Sequence, residues 1–196
     1  MPPSLSDATI QEVYSALATD VARNEMITSD VIRALDAGHS PLLLTGRKEH
    51  LGVLATEIQR AAKHVFVLKG GMGKKERRTT AESLPSVPEN EPRVILATGS
   101  YIGEGFDDAR LDTLFLAMPV SWKGTLQQYV GRLHRQHDGK RVVQVYDYVD
   151  LNVPMLARMY QRRLKGYDAI GYTVEHGEAS EIRPAAPWNA KSSPRV

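Results

Sequence analysis

Residues 41–68 read PLLLTGRKEHLGVLATEIQRAAKHVFVL, and their pattern decides the fold. Pro41-Leu42-Leu43-Leu44-Thr45 is an apolar run of strand length without the polar alternation of a half-exposed strand. Leu51, Leu54, Ile58 and Ala62 then recur at helical spacing, and Val65-Phe66-Val67-Leu68 is a second buried strand. The same rhythm continues downstream. A glycine loop and a helix over 74–84 are followed by a loop punctuated by Pro85, Pro88 and Pro92. Further strands are expected at 94–97, 114–117 and 142–146, with a helix over 125–135 between the last two. Apolar strands alternating with amphipathic helices predict an α/β fold: a mainly parallel central sheet of roughly five strands with helices on both faces.

Outward from this core, residues 8–36 read as two short helices. Ile10, Val13, Tyr14 and Leu17 form one apolar stripe, Ile27, Val31, Ile32 and Leu35 another, and Gly38 is placed to stop the second. A basic helix is expected over 154–165. Beyond 177 the proline-, serine- and alanine-rich tail is expected to be disordered. The expected organisation is therefore leading helices (1–40), the α/β unit (41–150), a packed C-terminal helix (151–176) and a tail (177–196).

The 196 residues carry 42% hydrophobic and 24% charged side chains, enough for a core, and no cysteine, which removes disulfides and thiolate metal sites. No apolar run reaches membrane-spanning length and the first residues lack a signal-peptide pattern, so a soluble, cytoplasmic protein is expected. The scattered histidines, including His134 and His137, suggest no metal site. Net charge is only +2, but basic residues cluster around 69–78, around Arg132, Arg135, Lys140 and Arg141, and around Arg158, Arg162, Arg163 and Lys165. Such clusters suit either a solvated face or a polyanion.

The helix over 125–135 carries the chemistry. Leu126, Tyr129, Val130 and Leu133 form an apolar stripe, while Gln128, Gly131, Arg132 and Arg135 form a second one about 180° away. Packing the first on the sheet turns both arginines outward. Gly131 between them costs a helix about 1 kcal/mol relative to alanine and lets a ligand approach the backbone. Two guanidiniums flanking such a gap suit a polyphosphate clamp. The residues alone leave open an ordinary solvated helix with a tolerated glycine.

Gln128-Tyr129-Val130-Gly131-Arg132-Leu133-His134-Arg135 resembles motif VI of superfamily-2 helicases, Q-x-x-G-R-x-x-R, at all four defining positions. The resemblance implies that Arg132 and Arg135 act as arginine fingers on the γ-phosphate of ATP held by another domain, with Gln128 and Gly131 beside the same phosphates. Thr98-Gly99-Ser100-Tyr101-Ile102-Gly103-Glu104-Gly105-Phe106-Asp107 resembles motif V, one residue longer than the commonest pattern. It implies that Thr98 and Gly99 meet a nucleic-acid backbone and that Gly105 and Asp107 lie by the nucleotide. Independently of family, an acid in this loop suits a ribose hydroxyl or an arginine better than a phosphate. Pro41 to Arg47 resembles motif IV, implying phosphate contacts from Thr45, Gly46 and Arg47. The loop at Gly70 with Arg77 resembles the next nucleic-acid-contacting segment. A plain strand-to-helix turn remains an equal reading of that loop.

The resemblance covers about residues 41–150 and implies the second, RecA-like motor domain of an ATP-dependent helicase or translocase. Gly71-Met72-Gly73-Lys74-Lys75 imitates a P-loop, but Leu68 and Lys75 break the G-x-x-x-x-G-K-[ST] pattern at both ends. No other P-loop and no Asp-Glu magnesium box occurs in these 196 residues. The resemblance therefore implies that ATP and its Mg are held mainly by an N-terminal RecA-like partner domain, in the same protein or on another subunit. It also implies that DNA or RNA is the track, that no membrane is involved, and that this chain alone has no ATPase activity. The alternatives are a standalone nucleic-acid-binding module with a degenerate motor fold, and an unrelated Rossmann-like enzyme using the 99–107 loop for a mononucleotide.

Overall fold

The computed structural model describes residues 9–102, 106–120, 126–137, 140, 142–176 and 188–194. The chain opens with α1 (Ile10–Thr19) and α2 (Val21–Asp36), followed by β1 (Pro41–Thr45), α3 (Lys48–Gln59), β2 (His64–Leu68) and α4 (Lys74–Ser83). It continues through β3 (Arg93–Thr98), the single turn α5 (Gly99–Ile102), β4 (Thr113–Leu116), α6 (Gln127–Leu133) and β5 (Gln144–Val149). The last elements are α7 (Pro154–Ala169), β6 (Tyr172–His176) and β7 (Trp188–Pro194).

The strands form one sheet in the order β2-β3-β1-β4-β5-β7-β6. The first five are parallel; β7 joins β5 antiparallel and β6 joins β7 antiparallel. Right-handed crossovers place α3 on one face and α4 and α6 on the other. Strand alternation serves both layers. Leu42, Leu44, Ile95, Leu114 and Leu116 pack with Leu126, Tyr129, Val130 and Leu133 of the α6 segment. Leu43, Leu96 and Phe115 pack with Leu51, Leu54 and Ile58 of α3. Burial on both faces is why these strands read as unbroken apolar runs.

The leading helices belong to this core, since Ile27, Val31 and Leu35 of α2 join the α3 layer. Thr9 caps α1 through a reciprocal pair with Glu12. Asp20 ends α1 and caps α2 by accepting from Arg23 N–H at 3.0 Å, which makes the elbow between the helices. Gly38, at φ 82°, stops α2 as its position suggests.

Five elements depart from the sequence reading. β5 starts at Gln144 rather than 142, because its parallel register sets Gln144 against Thr113 of β4. α6 stops at Leu133, so Arg135 lies in the turn beyond the helix. Lys140 Nζ donates to the carbonyls of Leu133 (2.7 Å) and Arg135 (2.8 Å), closing the helix end with a cation. α7 runs on to Ala169, and Gly171 at φ 80° turns the chain into the unexpected β6. Finally, residues 188–194 of the expected disordered tail pair as β7 with β5, covering what would otherwise be an open edge. Residues 177–187 lie outside the described residues.

Part of the basic sequence is spent inside. Arg163 and Asp147 are each 1% exposed, and the guanidinium grips the carboxylate with Nε at 2.6 Å and Nη2 at 2.9 Å. Arg163 Nη1 also donates to Val120 O (3.0 Å), and Tyr167 donates to Asp147 (3.1 Å). Burial pulls the guanidinium down, but the charge and hydrogen bonding of Asp147, together with Tyr167 and Tyr160, hold Arg163 above its ordinary value. No helix among the described residues is long and apolar enough to cross a membrane.

Candidate functional site

The parallel register brings the loops of interest to one edge of the sheet. Thr45 at the end of β1 sits opposite Thr98 at the end of β3, and Leu68 at the end of β2 sits opposite Ala97. The turns that follow these strands therefore share the carboxyl edge, where open α/β sheets bind ligands. Gly70 N–H donates to Thr98 Oγ1 at 3.0 Å, joining two segments that sequence reading placed separately.

Two of the expected phosphate donors stand behind this edge. Thr45 is 2% exposed, and its hydroxyl lies 3.0 Å from His50 Nδ1 and 3.3 Å from the Arg47 amide. Thr98 is 4% exposed and committed to Gly70. Both side chains are thus corrected from direct contacts to supports: they end strands buried on both faces, so their hydroxyls turn inward. Gly46 is exposed with open space above it, and a Cβ added at Gly71 would lie 3.5 Å from Lys48 Nζ. Arg47 is half-buried, and its Nη2 donates to the carbonyl and side-chain oxygens of Gln11 at 2.9 and 2.8 Å. Arg77, also half-buried, lies over the Tyr101 ring at 5.3 Å. It lines a cavity of about 330 Å³ with Tyr101, Phe106 and Asp107.

α6 packs its apolar stripe on the sheet and exposes Gln128 and Gly131, with open space where a Gly131 side chain would be. Arg132 is half-buried, and while its carbonyl accepts from the Arg135 N–H at 3.3 Å, its guanidinium makes no hydrogen bond or ion pair with another described residue. Arg135 meets Asp107 at 3.1 Å, with the two side chains 58% and 43% exposed. An ion pair that open contributes at most about 1 kcal/mol, so it orients Arg135 without locking it. The acid of the loop thus lies beside an arginine. Gly105 lies outside the described residues.

Sequence reading missed the link between loop and helix. Tyr129, counted only as part of the apolar stripe, donates from its hydroxyl to Gly99 O at 2.7 Å. A Cβ at Gly99 would stand 2.8 Å from the Tyr129 hydroxyl oxygen and 3.8 Å from the ring carbon that bears it, so any side chain there forces the tyrosine to shift. The available signal was the aromatic type itself, since a buried tyrosine needs a partner for its hydroxyl. Gly99→Ala is expected to cost about 1–3 kcal/mol by overpacking. In a Tyr129→Phe background the added methyl should cost much less. Urea denaturation of the four-member cycle measures this, and strictly additive losses would show that the two residues do not meet.

The fold is that of the C-terminal RecA-like domain of superfamily-2 helicases. The chain belongs to the same family as uncharacterized protein 108L of Invertebrate iridescent virus 3, with 34% identity over 97 residues spanning 49% of this chain and 88% of that protein. It is 32% identical over 118 residues to putative helicase 161L of Invertebrate iridescent virus 6, covering 60% of this chain and 23% of that one. It is 22% identical over 140 residues to transcript termination protein A18 of fowlpox virus, covering 70% of this chain and 29% of that one. The chain thus spans less than a third of these two longer relatives. Among solved structures it resembles T4 UvsW, with a TM-score of 0.56 and 21% identity over 68% of this chain and 26% of that one. It also resembles the C-terminal part of the Fun30 ATPase domain, with a TM-score of 0.52 and 13% identity over 62% of this chain and 39% of that one. No family model matches the chain.

Proposed function

We propose that the chain is the C-terminal motor half of an ATP-dependent superfamily-2 nucleic-acid helicase or translocase. The observation that carries this is Arg132: a guanidinium on a helix anchored through its apolar side, uncommitted among the described residues, beside the open space over Gly131. Arg132, Arg135, Gln128 and Gly131 together fit a polyphosphate, because they offer unspent donors and a gap for close approach. Bound there, ATP with Mg, held mainly by an N-terminal RecA-like domain, supplies the energy for movement.

In this role Arg132 places a fork of donors where charge develops in phosphoryl transfer, and Arg135, steered by Asp107, adds a second. Gly105 and Asp107 border the nucleotide. Gly46, Arg47, Gly70, Gly99 and Arg77 form the edge that meets a DNA or RNA backbone, with Thr45 and Thr98 holding their turns. The sequence supports the division of labour, because it contains the finger motif and no P-loop. The name of the relative called a putative helicase is consistent with this reading.

The isolated chain is expected to bind a single-stranded oligonucleotide with affinity that falls steeply with salt, and to hydrolyse no ATP. Anisotropy titrations at several salt concentrations and a steady-state ATPase assay measure the two. ATP turnover by the lone chain that disappears in Arg132→Ala would overturn the proposal. Single-strand binding that is indifferent to Arg135→Ala, in a complete two-domain protein that turns over no ATP, would favour a binding module with a degenerate motor instead.

A further inference from the structure

Behind the turn that follows β1 lies a chain of buried hydrogen bonds that the finger-and-edge reading does not use. Its members are Ala18 at the end of α1, Asn24 of α2, His50 of α3, Thr45 of β1 and the Arg47 amide. Asn24, His50 and Thr45 are all buried. Asn24 Nδ2 donates to Ala18 O at 3.0 Å, which fixes the amide and points Oδ1 at His50. His50 Nε2 lies 2.9 Å from that oxygen, an acceptor only, so Nε2 carries the proton. Burial and then the charge of Arg23 push the imidazole down to about 4, so it is neutral and Nδ1 is bare. The Thr45 hydroxyl must therefore donate to Nδ1 (3.0 Å), leaving its oxygen to accept from Arg47 N–H (3.3 Å). Each proton position follows from the one before it.

We infer that His50 is a positioning residue for the nucleic-acid edge, and that through it the α1–α2 elbow sets the 45–47 turn. The inference rests on the proposed reading of that turn as a phosphate contact. The turn is held from two sides by the same helix pair: inside through Asn24, His50 and Thr45, and outside through the two bonds from Arg47 to Gln11. The leading helices are thus part of the grip. A backbone N–H whose acceptor is fixed can present its neighbour, Gly46, to a phosphate without first being ordered.

Four variants of the full chain separate the links. His50→Gln keeps a donor at the Nε2 position toward Asn24 but removes the acceptor for Thr45. His50→Asn keeps an acceptor near Nδ1 and loses Asn24. Thr45→Val removes the hydroxyl, and Thr45→Ser restores it. Hydrogen exchange of the peptide containing Arg47 and anisotropy with a fluorescent single-stranded oligonucleotide are the two readouts. His50→Gln and Thr45→Val are expected to speed exchange at Arg47 and weaken oligonucleotide binding, each by up to about tenfold, the equivalent of one lost hydrogen bond. Thr45→Ser should stay within about twofold of wild type on both, and His50→Asn, which keeps an acceptor for Thr45 but cuts the link to Asn24 and the elbow, should fall between wild type and His50→Gln. Unchanged exchange in His50→Gln and Thr45→Val overturns the relay. Faster exchange with unchanged, salt-sensitive binding overturns the positioning role, leaving His50 structural. Failure of the wild type to bind at all overturns the reading of the edge and the grip with it, and is distinguishable because the exchange pattern still reports the relay.

Discussion

Arg132→Ala, made in a protein carrying both motor domains, is expected to lower ATP turnover by about 10³-fold or more. The size follows from the finger role proposed for this guanidinium. A fork of donors aimed at phosphate oxygens in a closed, water-poor cleft is worth far more than the same charge in solvent. Arg132→Lys should recover little, since a point charge cannot reproduce the fork. Arg135→Ala should cost less than Arg132→Ala, because Arg135 sits past the helix end and shares its charge with exposed Asp107. Stability should change by less than about 0.5 kcal/mol, because no described residue depends on the Arg132 side chain for a hydrogen bond, and the bonds to its carbonyl survive in alanine. Steady-state kinetics with saturating nucleic acid, together with oligonucleotide binding by the same variants, measure the effect. Wild-type turnover in Arg132→Ala would remove the foundation of the functional reading.

The largest effect on folding is expected at Asp147. Replacing it with leucine leaves Arg163 buried, still donating to Val120 O but without its carboxylate, and removes an acceptor of Tyr167. Stranding one member of a buried, doubly hydrogen-bonded pair costs about 3–5 kcal/mol. In a domain of this size that lowers the melting temperature by about 10 °C. The double variant Asp147→Leu/Arg163→Met should regain most of the loss, since an apolar pair needs no compensating charge. Urea midpoints for the two single variants and the double variant test this. A loss below about 1 kcal/mol in Asp147→Leu, or a double variant no better than the singles, would show that the pair contributes little. Because Arg163 also holds Val120, ahead of α6, its loss should reach the arginine helix as well as global stability.

The strands, the helices and their layering were legible because each depends on local chemistry. Buried strands must be continuously apolar, as in Leu42-Leu43-Leu44, and packing helices must repeat at helical spacing, as in Leu51, Leu54 and Ile58. The two-striped helix α6 was legible for the same reason, its stripes separating Leu133 from Arg132. The misreadings fall where a partner distant in the chain decides. Thr45 and Thr98 looked like surface donors, yet their hydroxyls turn to His50 and Gly70. Arg163 looked like one more solvated cation beside Arg162, and only the approach of β5 brings Asp147 to bury it. Lys140 looked like part of a basic cluster suited to a solvated face or a polyanion and instead closes the end of α6.

By itself the sequence determined the α/β alternation, the two-faced burial of the sheet and the outward aspect of Arg132, because periodicity is a property of neighbours along the chain. Tertiary structure alone decided which polar groups are spent inside and which remain for a ligand. Hydrogen-bond partners 26, 28, 30 and 36 residues apart, as in His50–Asn24, Gly70–Thr98, Tyr129–Gly99 and Arg47–Gln11, leave no local pattern to read.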